Sequence, residues 1–235
     1  MTEPGDRDPD SETERETKRD ASARQPGESA PLRPVKRPSG TFDSFEGGDD
    51  PAVHTRIAHD SAHALLNRVR QAGDPELVAR VTEFADEHGI DTVAELWAHA
   101  AAKSLPGALW RVYVLRSLIV QQPESTAFAY DRGHQLSAGI DPVVAGAATP
   151  TGPDEIRAVA DQILHGVFAG DFGVALDRAA AFARVTSVGC VDLAHDADPS
   201  EPQRASELTA RASRLALIAE ELTACARLWR TNSLD

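Results

Sequence analysis

Apolar residues recur at alternating three- and four-residue spacing through most of the chain after Asp50, and that periodicity predicts helix after helix. Between Pro51 and Ala72, the side chains of Ala58, Ala62, Leu65, Leu66 and Val69 share one face, and Gly73 supplies a stop. Asp74 and Pro75 open a second expected helix with Leu77, Val78, Val81, Phe84 and Ala85 as its stripe, and Gly89 fits the left-handed residue that closes it. Thr92 and Glu95 have capping-box spacing ahead of Leu96 and Trp97. Pro106 starts a fourth helix that runs to about Gln122, where Pro123 is expected to end it. Apolar residues lie on nearly every side of that helix, the pattern of a central helix buried all round.

A Gly, Ala and Pro-rich stretch over 139–152 follows, marking a hinge or sub-boundary between two helical subdomains. Thr151, Pro153, Asp154 and Glu155 form a start signal for a helix carrying Ile156, Val159, Ile163, Leu164 and Val167. A further helix is expected from Asp171 to Val188, then an acidic loop from Asp192 to Pro202. In the last helix Leu208, Leu215, Ile218, Leu222, Cys225 and Trp229 form a seam interrupted by Arg211. A seam of about three heptads is read as internal packing ahead of a dimer through the C-terminal helix. With no strand-like alternation, no βαβ spacing and no repeat at solenoid periods, residues 51–235 read as all-α, a single bundle of about seven or eight helices.

The first 50 residues break this pattern. They hold 13 Asp or Glu against 8 Lys or Arg, and their large apolar residues are Met1, Leu32, Val35, Phe42 and Phe45. So little apolar surface does not offset an ordering cost of roughly 1–2 kcal/mol per residue, so a disordered tail is expected over 1–50. Phe42 and Phe45 sit three apart beside Thr41 and Ser44, so an induced helical turn would put both rings on one face. That arrangement suits a linear motif for a protein partner, with Thr41 or Ser44 open to phosphorylation, or a segment that docks on its own body. Pro31 to Lys36 also matches a short polyproline ligand.

A net charge of −13 opposes broad binding to phosphate backbones. Two distant cysteines and an acidic start without an apolar signal core point to a reduced, cytoplasmic protein. The most apolar stretch, Leu105 to Val120, carries Arg111 and Arg116 and falls short of the roughly 20 residues of a membrane span, so no membrane insertion is expected.

Candidate chemistry is sparse, and no catalytic residue, metal site or cofactor is assigned. Trp110, Arg111, Tyr113 and Arg116, with Asp131 and His134 from the next segment, could form an arginine-centred pocket with His134 as base. The competing structural account is an ion pair between one of the arginines and Asp131 or Glu95. His59 and His63 stand one helical turn apart, as metal-binding pairs do, but no third ligand is signalled and boundary histidines are expected.

The stretch Leu96 to Val120, with Leu105-Pro106-Gly107-Ala108-Leu109-Trp110-Arg111 at its centre, resembles a family of uncharacterised all-α actinobacterial proteins. The resemblance implies the fold class and no particular activity. Residues 83–113 are also similar in layout to the helix-turn-helix of TetR-like regulators, with Gly89, Thr92-Val93 and Gly107-Ala108-Leu109 at the corresponding positions. That likeness implies DNA reading by the Gly107 helix, although its many apolar side chains stand where base-contacting groups belong. The reading placed first is a cytoplasmic helical interaction or regulatory protein that binds a protein partner. A degenerate TetR-like regulator and a small ligand-binding protein or enzyme follow it.

Overall fold

Every element of the computed structural model, which describes residues 51–72, 91–149 and 151–235, is a helix or a connection between helices, and no strand occurs among those residues. Among those residues eight helices run in the order α1 (Pro51–Ala72), α2 (Asp91–Ala98), α3 (Leu105–Gln121), α4 (Pro123–Leu136), α5 (Asp141–Ala145), α6 (Pro153–Phe168), α7 (Phe172–Ala197) and α8 (Pro202–Arg230). The all-α class read from the periodicity is therefore correct. The expected tail with Thr41, Phe42 and Phe45, and the expected helix after Asp74, lie outside the described residues.

Local chemistry sets most of the boundaries. At the start of α3, the Ser104 hydroxyl accepts from the Gly107 amide at 3.2 Å, and the Leu105 amide donates to the Asp235 carbonyl at 2.6 Å. At the start of α6, the Glu155 carboxylate accepts from the Gly152 amide at 2.9 Å, the reach-back that the Pro-Asp-Glu signal foretells. Asp171 caps α7 by accepting from Val174 at 3.0 Å. Gly146, at φ 75°, closes α5 in the left-handed region, where a side chain is strained.

Pro123 ends α3 as expected and also opens α4 in its first turn, where its missing amide is harmless, so one residue both ends one helix and begins the next. Two expectations are corrected. α7 runs on to Ala197, well past Val188, because Asp192 and Asp196 sit on its outer side and take ion pairs from Arg132 of α4. The central helix is α7, which packs against α4, α5, α6 and α8, whereas Val120 and Gln121 at the end of α3 are exposed. Small residues allow that position: Ala175, Ala179, Ala180, Ala181 and Ala183 are buried along α7.

The α8 seam packs internally on α7. Its most buried positions are Ala205, Ala212, Leu215, Ala219, Leu222, Cys225 and Ala226, with Leu208, Ile218 and Trp229 half-buried at the margins. Where α4 meets α7, two glycines bring the backbones together. A Cβ on Gly189 would stand 1.7 Å from the Ala129 carbonyl oxygen, and one on Gly133 would stand 1.9 Å from that of Val185.

Arginines tie the outer helices to this core. Arg184 of α7 grips both carboxylate oxygens of Asp141 in α5 at 2.9 and 3.0 Å and donates to Thr223 of α8 at 2.9 Å. Arg211, the break in the α8 seam, crosses to Gln122, Ser125 and Thr126 at the start of α4. Arg70 of α1 donates to the Val167 and Gly170 carbonyls at the C-terminal end of α6 and lies near the rings of Phe172 and Trp229. A guanidinium there satisfies carbonyls that have no helical partner and favours the negative end of the helix dipole.

Candidate functional site

The residues proposed for an arginine-centred pocket are distributed among separate contacts. Arg111 pairs with Glu221 of α8, not with Asp131 or Glu95, and donates to the Gly107 carbonyl at 2.8 Å. Trp110 and Tyr113 lie near each other, with ring centroids 5.6 Å apart, and Arg116 is half-buried on the same helix. Asp131 accepts from Gln135 on its own helix. His134 stands edge-on to Tyr130, with its Nδ1 buried and without a hydrogen-bond partner among the described residues. Sequence spacing put Asp131 and His134 close to the arginines in number. The turn into α4 redirects them.

Tyr130, in the same segment as Asp131 and His134, lies inside the core. Its ring is fully buried and stacks on Phe182 at 5.2 Å. Burial pushes the phenol up to about 12, since the Ala147 backbone offers only a poor polar contact and no well-formed hydrogen bond reaches the hydroxyl among the described residues. Cys190 and Cys225 are likewise buried, and loss of water raises both thiols and keeps them protonated.

The helix that a DNA reader would present is closed at its start. Gly107 and Ala108 are buried, and a Cβ on Gly107 would strike the Ala101 carbonyl oxygen at 2.1 Å. Among the described residues no group of three or more His, Cys, Asp or Glu side chains is arranged to hold a metal; His59 is half-buried and His63 exposed. No helix among them is long and apolar enough to cross a membrane.

Two features remain that face outward. The first is a cavity of about 560 Å³ lined by Pro51, His54, Thr55 and Ala58 of α1 and by Glu95, Leu96, His99 and Ala100 at the end of α2. α1 and α2 are joined by Trp97, which is buried and donates its indole N–H to Ser61 at 3.0 Å, while Ser61 donates to the Ala58 carbonyl at 2.9 Å. The second is an apolar ridge on α5. Ile140 and Val143, one turn apart, are 76% and 82% exposed, while Pro142 and Ala145 between and after them are buried. Leu136, at the end of α4, adds a third exposed apolar side chain nearby in the chain.

Comparison with protein-family models, with curated proteins and with solved structures returns no match to this chain.

Proposed function

We propose that the protein is a cytoplasmic helical interaction or regulatory protein whose body binds a protein partner through the α5 ridge. The observation that carries this reading is the pair Ile140 and Val143, the two most exposed large apolar side chains among the described residues, held at the N-cap and within a short helix that is itself firmly attached. Solvating two β-branched side chains costs roughly 1.5–3 kcal/mol each relative to burial, so the folded protein keeps a surface that gains free energy when covered. The Arg184 fork onto Asp141 fixes the ridge before any partner arrives, and a preorganised anchor loses less freedom on binding. Free, buried thiols at Cys190 and Cys225 are compatible with a reducing compartment. The motif Thr41, Phe42 and Phe45 remains a proposed second contact to the same partner. The seam of α8 is taken up by α7, so the unit that binds is proposed to be a monomer.

The test is an affinity capture from the native host, treated with nuclease, comparing the full chain, the I140S/V143S double variant and a chain beginning at Asp50. A protein retained by the full chain and lost from the double variant supports the ridge. Loss only from the shortened chain transfers the role to Phe42 and Phe45. Equal retention by all three overturns both.

A further inference from the structure

We propose that the cavity between α1 and α2 is a binding site for a small organic cation, a primary ammonium group carried on an apolar body. The volume, about 560 Å³, falls in the range of roughly 300–1,000 Å³ that small-molecule sites occupy. Pro51, Ala58, Leu96 and Ala100 provide apolar wall for the ligand's body. The polar side chains decide its head group.

Hydrogen-bond bookkeeping leaves three of the four polar side chains among the described lining residues as acceptors. Thr55 spends its hydroxyl proton on the Pro51 carbonyl at 2.9 Å, so its oxygen turns only lone pairs outward. His99 Nδ1 lies 3.1 Å from the Glu95 carbonyl oxygen, and a carbonyl only accepts, so Nδ1 carries the proton and Nε2 of the neutral ring keeps a free lone pair. Among the described lining residues Glu95 brings the one formal charge, and no cationic side chain among the described residues pairs with it. His54 completes the wall. A ligand that satisfies a carboxylate, an imidazole lone pair and a hydroxyl oxygen together must supply several N–H donors and a positive charge. A primary ammonium carries three donors and one charge. The net charge of −13 adds a field that draws cations towards the protein.

This inference is independent of the α5 ridge, since α1 and α2 share no residue with it. The experiment titrates the full chain with hexylammonium, hexan-1-ol and hexanoate at constant ionic strength, following Tm and the ring-proton resonances of His54 and His99. The expected result is a saturable rise in Tm with hexylammonium and shifts of the His99 resonances, a weaker response to hexanol, and none to hexanoate. Glu95→Gln, at an exposed position, keeps the fold and is expected to weaken hexylammonium binding at least tenfold while leaving hexanol unchanged. Equal response to ammonium and carboxylate, binding that E95Q does not alter, or no saturable binding by any of the three probes overturns the proposal.

Discussion

The crossing of α4 on α7 and the corner between α1 and α2 are built in opposite ways. At the crossing, glycines remove side chains and backbone carbonyls stand where a Cβ would fall, so the two helices meet with no space between them. At the corner, one indole and one serine hold the helices together, and beside that contact the side chains leave a cavity. Backbone contact gives a closed, position-specific joint that tolerates no added atom. Side-chain contact gives a looser joint that can keep a functional opening.

Substitutions can test that contrast. The largest effect is expected at the crossing: Gly189→Ala puts a methyl group 1.7 Å from a carbonyl oxygen, so α4 must lift off and the loss should exceed about 4 kcal/mol, the exceptional end of single substitutions. Urea unfolding measures it, and a loss below about 1 kcal/mol would show that the joint can slide. At the corner Trp97→Ala should cost about 3 kcal/mol, the low end for a buried tryptophan, because a joint made by side chains can relax around the loss. The same titration reads this, and a loss as large as that of Gly189→Ala would remove the distinction.

Arg70→Met, which frees the Val167 and Gly170 carbonyls but keeps the apolar stem, should cost about 1.5 kcal/mol. A Tm that does not move would show that Arg70 does not tie α1 to α6.

The smallest effect at neutral pH is expected from Tyr130→Phe, within about 1 kcal/mol, since the hydroxyl has no good partner to lose. Its signature lies in alkali. The folded phenol titrates at about 12, above its ordinary value of 10, so between the two the unfolded chain has released a proton that the native state still holds. Stability from this group is complete below the unfolded value and is lost as pH rises through the folded one. Unfolding titrations from pH 9 upward should therefore fall less steeply in Y130F, and parallel curves would disprove the assignment.

The helical class and several boundaries could be read from residues whose chemistry acts locally. Ser104 and Pro106 start α3, Glu155 reaches back to start α6, and Asp171 caps α7 whatever the rest of the fold does. What escaped notice depends on partners distant in sequence. α4 was hidden because Pro123 reads as a terminator, and the place of Gly133 within it is explained only by the α7 backbone. α7 looked less central than α3 because alanine is weakly apolar, yet small size is what lets several helices approach it closely. The partner of Arg111 could not be foreseen: Glu221 lies more than a hundred residues away, while Asp131 was near in number and turned elsewhere. The α1–α2 cavity gave no sequence signal, for its acceptor character appears only once Thr55 and His99 have spent their protons on carbonyls.

The antiparallel pair α7–α8 also bears on the order in which the chain assembles. Its two long helices are joined by the short turn 198–201, so their mutual burial requires closing only a small loop. Seating α4 against Gly189 instead requires bringing together segments separated by α5 and α6. The C-terminal hairpin is thus the cheapest nucleus the topology offers, and its alanine-lined surface is the template on which the earlier helices are laid. During synthesis that template emerges after α1 to α6, so those helices must wait, without their packing surface, until α7 and α8 have been made.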